Sequence, residues 1–218
     1  MRIVVQDNFY PEPDKVREQA LAMFFHPGQM GMQTKFPGQR TRGTFSKENR
    51  IYVRNKLSHM LNRNMINFPH NTSNAAFTLG TVRDKSPQNW IHHDATYMDR
   101  ENRLGGTEYA AVIYLSPEPD PTAGTAFFRS RKSKTIWKTK DVTFDNSTGF
   151  KDVWKGHPNF DLHMFSANIY NRALVYPARY WHAPSNAGWG YDKKTGRLVQ
   201  VCFFMVEKGE YDDRIQQQ

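Results

Sequence analysis

The stretch Ile91-His92-His93-Asp94 gives the clearest indication of the fold. In an extended strand, successive side chains point to opposite faces, so residues i and i+2 share one face. His92 and Asp94 therefore project together, while His93 points away. If His93 led the motif, its i+2 partner would be Ala95, which has no metal-binding group. The spacing predicts two metal ligands on one face of a strand.

A third ligand is expected from a distant strand that lies nearby in space. His182 follows a strand-like run at residues 173–176 and a turn signal at Pro177. His157 and His163 compete for this role, but they lie in a loop-rich stretch. Two imidazoles and one carboxylate form a facial ligand set with open coordination positions, which suits non-haem Fe(II) and O₂ chemistry. The sequence therefore predicts a metal site completed by His182.

A cation follows the distal histidine along the chain. Arg197 begins an apolar, strand-like run that continues through residues 198–206. A guanidinium presents a planar fork of donors that meets a carboxylate bidentately. Arg172 and Arg179 compete for the role, but both precede His182. Arg197 is the residue that we expect to hold a dicarboxylate cosubstrate beside the metal.

The pattern of predicted elements changes near residue 75. Before it, Asp14 is expected to cap a helix that runs to about residue 25, and Ser46 a helix that runs to about residue 62. After it, short β-branched and aromatic segments alternate with turn residues, which is typical of all-β structure. Strands are predicted at 77–82, 90–93, 109–116, 125–129, 165–169, 173–176 and 198–206.

These elements predict a mainly β (α+β) fold with a double-stranded β-helix core, also called a jelly roll or cupin-like core, and N-terminal flanking helices. The chain of 218 residues suits a single domain over residues 1–218. We expect residues 1–70 to form the helical flank and residues 71–210 the jelly-roll core.

The bulk composition limits where the protein works and what it binds. No run of about 18 apolar residues is present, so no membrane span is expected, and the N-terminus lacks the apolar region of a secretory signal. The single cysteine, Cys202, favours a reducing, cytoplasmic setting. The net charge is +9, and six basic residues fall between positions 129 and 140. This basic segment is either a solvated face or a surface for an acidic partner such as nucleic acid.

Several stretches of the chain match motifs of one known superfamily. They are Asp7-Asn8-Phe9-Tyr10 with the helix after it, residues 90–94, residues 111–117, residues 124–128 and residues 176–182 with 197–200. On these stretches, most of the chain resembles the Fe(II)- and 2-oxoglutarate-dependent oxygenases. Within that superfamily it looks like the prolyl-hydroxylase-like branch and related uncharacterised bacterial and phage oxygenases.

The chain departs from the family pattern at two places. Ala123 stands where the first glycine of a Gly-Gly element is common, and His182 and Arg197 are 15 residues apart, a longer spacing than is usual. The insert at residues 188–196 is predicted to be a hairpin loop that absorbs this extra length.

The resemblance implies a role for each residue of the site. His92, Asp94 and His182 would bind Fe(II), while Arg197 and Tyr114 would bind the distal carboxylate of 2-oxoglutarate. The implied reaction uses O₂, converts 2-oxoglutarate to succinate and CO₂, and hydroxylates a C–H bond of a peptide, an amino acid or another small molecule. Halogenases of this superfamily have a small residue at the position of Asp94, so a carboxylate there favours hydroxylation.

Two alternatives remain beside this hydroxylase. The basic segment at 129–140 leaves open an oxygenase that acts on nucleic acid. A cupin-like metal-binding protein without enzymatic activity would bind no 2-oxoglutarate, and Arg197 separates it from both oxygenases. Residues 99–106 are a candidate substrate-covering loop, and the mouth of the site is expected to be lined by Trp90, Tyr97, Trp181, Trp189 and Tyr191.

Overall fold

Both α-helices that the structure describes lie in the N-terminal part of the chain, and a short 3₁₀-helix spans Val153–Lys155. The computed structural model describes residues 2–27, 38–69, 74–82, 91–94, 108–138, 153–186 and 188–207. Helix α1 spans Pro13–Ala22 and helix α2 spans Lys47–Leu61. The predicted cap of α2 is confirmed, because Ser46 Oγ accepts a hydrogen bond from the backbone N–H of Asn49 at 3.1 Å.

The start of α1 differs from the prediction. The helix begins at Pro13, and Glu12 stands at the cap position without a side-chain capping bond. Proline suits the first helical position because the N–H that it lacks would have no partner there. Asp14 is therefore not the cap but an acidic residue in the first turn, where a carboxylate interacts favourably with the helix dipole.

The described strands form two antiparallel sheets. In chain order the strands are β1 (Val4–Gln6), β2 (His26–Pro27), β3 (Gln39–Arg40), β4 (Met65–Asn67), β5 (Ala76–Gly80), β6 (Tyr109–Tyr114), β7 (Thr125–Ser130), β8 (Phe160–Ser166), β9 (Ala173–Pro177), β10 (His182–Pro184) and β11 (Arg197–Val206). The larger sheet has the order β1-β9-β6-β11-β5-β3-β2, and β4 also pairs with β11. The smaller sheet has the order β10-β7-β8.

The N-terminal segment adds strands as well as helices. Four short strands, β1 to β4, fall within residues 1–70, and all of them belong to the larger sheet. The segment is thus more than the helical flank that the sequence predicts. Its strands extend the sheet on both sides of the central strands, so it contributes directly to the walls of the site.

The larger sheet is covered on both of its faces. The helices pack on one face around Phe9, Leu57, Phe77 and Phe204, all of which are fully buried. The other face packs against the smaller sheet, and we call the space between the two sheets the inter-sheet layer. Burying a large apolar side chain contributes about 1.5–3 kcal/mol, so these layers supply much of the stability.

The inter-sheet layer and the outer side of the smaller sheet have their own clusters. Tyr114 and Tyr176 of the larger sheet pack with Phe127 of the smaller sheet between the sheets. Phe128 and Trp181 are buried on the outer side of the smaller sheet. Two sheets that enclose one layer, with strands that alternate between them, give the predicted jelly-roll architecture.

Two apolar positions of the helical region are exposed. The exposed fraction is 70% for Phe24 and 46% for Ile51. Phe24 lies outside α1, which ends at Ala22. Ile51 lies on the side of α2 that faces away from the sheet, while Leu57 on the same helix is fully buried.

The connection between β10 and β11 is not a hairpin. These strands belong to different sheets, so the segment between them crosses from the smaller sheet to the larger one. Asp192 Oδ1 accepts hydrogen bonds from the backbone N–H groups of Lys194 and Thr195, which closes a turn. Arg17 donates to the carbonyl oxygen of Lys194 and ties this turn to α1. The longer spacing between His182 and Arg197 is absorbed by this crossing.

Among the residues that the structure describes, no helix is both long enough and apolar enough to span a bilayer.

Candidate metal centre

The segment that contains His92 runs beside β10 at the edge of the smaller sheet. The backbone N–H of His92 donates to the carbonyl of His182, and the N–H of His182 donates to the carbonyl of His92, both at 2.9 Å. Residues that exchange both hydrogen bonds lie directly opposite each other, and their side chains share one face. This pairing explains why His92 and His182, which are 90 positions apart in the sequence, lie side by side.

Asp94 joins the two histidines on the same face. Its backbone N–H donates to the carbonyl of Ala178 at 2.7 Å, which holds the segment against the turn that precedes β10. Each of His92, Asp94 and His182 offers one ligand atom, and these atoms all lie within 4.8 Å of one another. The structure thus brings together the three residues for which the sequence predicts metal binding.

The three side chains form a gradient from solvent to interior. Their exposed fractions are 41% for His92, 18% for Asp94 and 5% for His182. Asp94 Oδ2 lies 3.2 Å from Nε2 of His182, and Asp94 Oδ1 lies 3.7 Å from Nε2 of His92. Of the three side chains, His92 is therefore the most exposed and His182 the most deeply buried.

His93 points to the other side of the smaller sheet, as the alternation of side chains predicts. Its ring meets that of Trp181 edge-on, with the centroids 5.4 Å apart. Burial lowers the pKa of His93 to about 4, with a further contribution from the charge of Lys138. His93 is therefore a neutral packing residue of the outer side and takes no part in the metal-binding face.

A backbone carbonyl orients the ring of His182. The carbonyl oxygen of Tyr180 lies 2.9 Å from Nδ1 of His182. Because a carbonyl oxygen can only accept, Nδ1 carries the proton and Nε2 is left with its lone pair directed at the centre. The sequence does not reveal this partner, since the bond depends on the tight turn between β9 and β10.

A tyrosine that the sequence analysis did not single out touches two of the three residues. The Tyr176 hydroxyl donates to Asp94 Oδ2 at 3.3 Å and lies 3.1 Å from Nε2 of His182. Burial raises the pKa of Tyr176 well above its usual value, so the hydroxyl keeps its proton. The position of Tyr176 on β9, two residues after inward-facing Leu174, is the sequence signal that points to it.

Asp94 is ionised despite its burial. Burial by itself would raise the pKa of this carboxyl group. The charges that His182 and His92 carry when they are protonated, the hydrogen bond of His182 and the charge of Arg40 outweigh burial and hold the pKa of Asp94 well below its usual range. Asp94 therefore offers an anionic oxygen, which is the form that binds a metal ion.

Arg197 is a buried cation in the inter-sheet layer. It shares a face of β11 with Val199, and its guanidinium carbon lies 6.0 Å from the centroid of the Tyr114 ring. Its exposed fraction is 6%, and Nε has no hydrogen-bond partner among the residues that the structure describes. Burial lowers the pKa of Arg197, and the groups that oppose this are the hydroxyls of Tyr114 and Tyr176. A buried guanidinium whose Nε makes no hydrogen bond to the described residues is suited to bind an anionic ligand.

The two competing arginines have other contacts. Arg172 donates from Nε and Nη2 to the two carboxylate oxygens of Asp7, at 2.6 and 3.0 Å. The guanidinium of Arg179 lies over the ring of Trp137, 5.5 Å from its centroid, and its Nε also has no hydrogen-bond partner among the described residues. Arg197 is the one of the three that lies beside Tyr114 in the inter-sheet layer.

Tyr114 stands beside Arg197 with its hydroxyl group turned toward the smaller sheet. Its hydroxyl lies 2.7 Å from Oγ1 of Thr125 on β7, and burial raises its pKa. The start of β7 is close to β8, because a Cβ atom at Gly124 would lie 1.9 Å from the carbonyl oxygen of Ser166. Glycine is thus required at the second position of the predicted Gly-Gly element, whereas Ala123 is accommodated at the first.

The residues expected at the mouth of the site have different outcomes. Trp181 is fully buried in the outer cluster, so it does not line the mouth. Tyr191 is 75% exposed, in the connection that crosses between the sheets. Trp90, Tyr97 and the candidate covering loop at 99–106 lie outside the described residues. In the basic segment, which is described as far as Lys138, Arg131 forms an exposed ion pair with Asp161.

One family model matches this sequence, and several solved structures are similar to its fold. The model of a "Family of unknown function (DUF6445)" matches residues 1–204. The chain belongs to DUF6445. No curated protein matches the sequence significantly.

Solved structures similar to this member of DUF6445 confirm the predicted fold class. The prolyl hydroxylase of Trichoplax adhaerens, in complex with a peptide fragment of the oxygen degradation domain of hypoxia inducible factor, is 12% identical with a TM-score of 0.56, over 99% of this chain and 87% of that one. HygX of Streptomyces hygroscopicus with nickel and 2-oxoglutarate bound is 14% identical with a TM-score of 0.55, over 91% and 80%. HygX with hygromycin B also bound is 15% identical with a TM-score of 0.54.

Proposed function

We propose that this protein is an Fe(II)- and 2-oxoglutarate-dependent dioxygenase that hydroxylates a C–H bond of a peptide, an amino acid or another small molecule. The observation that carries the proposal is the arrangement of opposite charges in the inter-sheet layer. The ligand atoms of His92, Asp94 and His182 converge on one face of the smaller sheet. The buried guanidinium of Arg197, with Nε unbonded among the described residues, lies on the larger sheet opposite it.

The three residues of the metal centre would hold Fe(II). Two imidazole nitrogens and one carboxylate oxygen are the donors of the facial ligand set typical of non-haem iron oxygenases. The Tyr180 carbonyl presents Nε2 of His182 to the metal, and Tyr176 holds Asp94 by its second oxygen. With these partners in place, the protein sets the direction of the ligand atoms before a metal arrives. When bound, Fe(II), 2-oxoglutarate and O₂ would supply the oxidising power for hydroxylation.

Arg197 and Tyr114 would bind the distal carboxylate of 2-oxoglutarate. The guanidinium offers paired donors to a carboxylate, and the phenol adds one neutral donor. Because Arg197 is buried, the attraction is screened less by water than at the surface. A divalent metal ion at the centre would attract one end of the dicarboxylate, and Arg197 would bind the other end.

The comparisons support this proposal without naming a substrate. HygX has structures with iron bound and with nickel and 2-oxoglutarate bound. One neighbour is in complex with a peptide and another with hygromycin B. The same fold therefore accommodates peptides and small molecules, and both remain substrate classes for this chain.

Titration calorimetry of 2-oxoglutarate into the Mn(II)-loaded protein tests the proposal. We expect saturable binding that weakens at least about tenfold in Arg197→Gln, because a hydrogen bond to a charged group is worth about 1.5–3 kcal/mol. Arg172→Gln is the matched control, since Arg172 pairs with Asp7 and should leave binding unchanged. Metal binding without 2-oxoglutarate binding would instead favour the cupin-like protein without enzymatic activity.

A further inference from the structure

The described part of the basic segment forms a hairpin on the smaller sheet. The backbone N–H of Ser130, the last residue of β7, donates to the carbonyl of Thr135 at 2.9 Å. The N–H of Lys134 donates to the carbonyl of Ser130 at 2.8 Å, so the chain turns back over residues 131–134. We call residues 129–138 the basic hairpin.

Both limbs of the basic hairpin begin beside the metal centre. On β7, the Phe127 ring lies with its centroid 6.3 Å from that of the His182 ring. Arg129 is two residues further along β7, so its side chain projects from the same face as Phe127. On the returning limb, Trp137 is paired with Tyr180, two residues before His182. The hairpin therefore leads from the metal centre out to an exposed turn.

The basic hairpin carries more positive charge than its neighbours neutralise. Arg131 forms an ion pair with Asp161, with 2.8 Å between Nη2 and Oδ1. Arg129 contacts a ring nitrogen of His163 at 3.4 Å. Within the described part of the chain, no carboxylate pairs with the hairpin's three other exposed cations. These three cations are Arg129, Lys132 and Lys134.

The charge of this surface is complementary to an anionic partner. Surfaces that bind single-stranded nucleic acid combine cations with aromatic rings on which the bases stack. Trp137, the aromatic residue of the hairpin, is partly buried, and the guanidinium of Arg179 lies over its ring at 5.5 Å. Asp161 also stands among the cations, where it would repel a continuous row of phosphates.

An extended acidic peptide fits the same surface better. Every second side chain of an extended chain projects to the same side, about 7 Å apart. Separate carboxylates can therefore meet Arg129 and the lysines of the turn, while the uncharged backbone passes Asp161. The described residues thus favour an acidic peptide over a nucleic acid.

We infer that the basic hairpin binds an acidic segment of a peptide substrate and directs the neighbouring part of that peptide to the metal centre. The inference rests on the proposed function and selects the peptide among its substrate classes. Lys132 is five residues from Trp137, a distance of about 17 Å along an extended limb. The acidic segment is therefore expected about three to eight residues from the residue that is hydroxylated.

Fluorescence anisotropy with labelled peptides tests the surface itself. The probes are N-acetyl hexaglutamate amide, the neutral hexaglutamine peptide and hexathymidylate as the nucleic acid, all at one ionic strength. We expect hexaglutamate to bind at least about tenfold more tightly than hexaglutamine, and more tightly than hexathymidylate. Added salt should weaken this binding, because it screens charges at the surface. The measurement needs no metal ion, so its result is independent of the proposed function.

A triple variant assigns the binding to the basic hairpin. Arg129→Gln, Lys132→Gln and Lys134→Gln together should weaken hexaglutamate binding about tenfold, since each exposed ion pair contributes little by itself. The matched control makes the same change of charge on the far side of the larger sheet and should bind as the parent does. It replaces by Gln three cations of α2: Lys47, Arg54 and Lys56.

A second variant should increase the affinity, which a misfolded protein would not do. Asp161→Asn removes the carboxylate that pairs with Arg131 and so adds one available cation to the surface. We expect hexaglutamate to bind about 2- to 5-fold more tightly to this variant. Unchanged or weaker binding would contradict the role given to these charges.

Fluorine NMR locates the bound peptide relative to the metal centre. The probe is hexaglutamate followed by six alanines and a trifluoromethyl label. With Mn(II) added, the label should be broadened in the parent protein, because the peptide leads from the hairpin to the centre. It should stay sharp in Asp94→Ala, which lacks a metal ligand. Tight binding of this peptide without broadening in the Mn(II)-loaded parent would overturn the inference.

Three further results would overturn the inference and leave the proposed function intact. They are equal affinities for hexaglutamate and hexaglutamine, equal losses in the hairpin and α2 variants, and tighter binding of hexathymidylate than of hexaglutamate. The last result would identify the hairpin as a nucleic-acid surface. Failure of the parent to bind 2-oxoglutarate is a different outcome. It would contradict the proposed function, and the substrate role of the hairpin would fall with it.

Discussion

Gln200 and Arg197 lie on the same strand and are both buried, but they face opposite sides of the larger sheet. On the helix side, Gln200 accepts a hydrogen bond from the Tyr10 hydroxyl, and its amide donates to Asn49 and to the Ala75 carbonyl. Between the sheets, Arg197 Nε has no partner among the described residues. Buried polar groups are normally satisfied within the protein. This difference supports the proposal that the inter-sheet face binds a ligand while the helix-side face contributes to stability.

The largest expected effect comes from removing the carboxylate of the metal centre. Asp94→Ala deletes one of three ligands, so metal affinity should fall more than about 100-fold, since even outer partners of metal ligands are worth 10–100-fold. Equilibrium dialysis with Fe(II) or Mn(II) measures this. His93→Phe is the matched control, because it keeps a ring against Trp181 on the outer side. Equal losses in the two variants would contradict the assignment of faces.

Replacing the unsatisfied arginine should separate binding from stability. Arg197→Met should weaken 2-oxoglutarate binding about 10- to 100-fold but not lower the melting temperature of the ligand-free protein. The reason is that a well-packed apolar residue in place of a buried charge is often neutral or stabilising. Calorimetric titration and thermal unfolding of the same samples provide both values. A clear loss of stability with 2-oxoglutarate binding intact would contradict the proposal that Arg197 serves ligand binding and not stability.

The corresponding substitution on the helix side, Gln200→Leu, should lower stability and leave ligand binding unchanged. Gln200→Leu removes the acceptor of the buried Tyr10 hydroxyl, and an unsatisfied buried group costs about 1–3 kcal/mol of unfolding free energy. Affinity for metal and for 2-oxoglutarate should stay as in the parent. Denaturant unfolding and the same binding titrations test this pair of outcomes. A stable Gln200→Leu protein with impaired cosubstrate binding would show that the faces are not independent.

A smaller effect is expected at Tyr176, whose ring packs in the inter-sheet layer and whose hydroxyl contacts Asp94. Tyr176→Phe removes one hydrogen bond to the Asp94 carboxylate, long at 3.3 Å, and leaves the ring packed. A bond of this length is weaker than a normal one to a charged group, so we expect a contribution of about 0.5–1.5 kcal/mol and a fall in metal affinity of about 2- to 10-fold. The control is Tyr10→Phe, which removes a buried hydroxyl from the helix side. Unchanged metal affinity in Tyr176→Phe would mean that this hydroxyl does not support the centre.

The sequence predicts the parts of the site that depend on strand alternation. The i, i+2 spacing places His92 and Asp94 on one face and His93 on the other, and the structure has this arrangement. The pairing of His92 with His182 is a matter of register between distant segments. The turn signal at Pro177 favours His182, and His182 is the histidine that the structure has beside His92 and Asp94.

The remaining parts of the site depend on contacts that no local pattern encodes. Tyr176 reaches Asp94 because the backbone N–H of Asp94 bonds to the carbonyl of Ala178, just after β9, and Arg40 faces the inter-sheet layer through the register of β3 with β5. The predicted hairpin after β10 is wrong for the same reason. A local turn signal cannot tell whether a chain returns to its own sheet or crosses to another.

The most direct test of the central claim is the visible absorption of the protein mixed anaerobically with Fe(II) and 2-oxoglutarate. We expect a metal-to-ligand charge-transfer band in the parent protein. The band should be lost in Asp94→Ala and persist in His93→Phe. In Arg197→Met it should require a higher concentration of 2-oxoglutarate. If the parent binds iron but shows no band at saturating 2-oxoglutarate, the keto acid does not chelate the metal, and the inter-sheet layer does not have the role proposed for it.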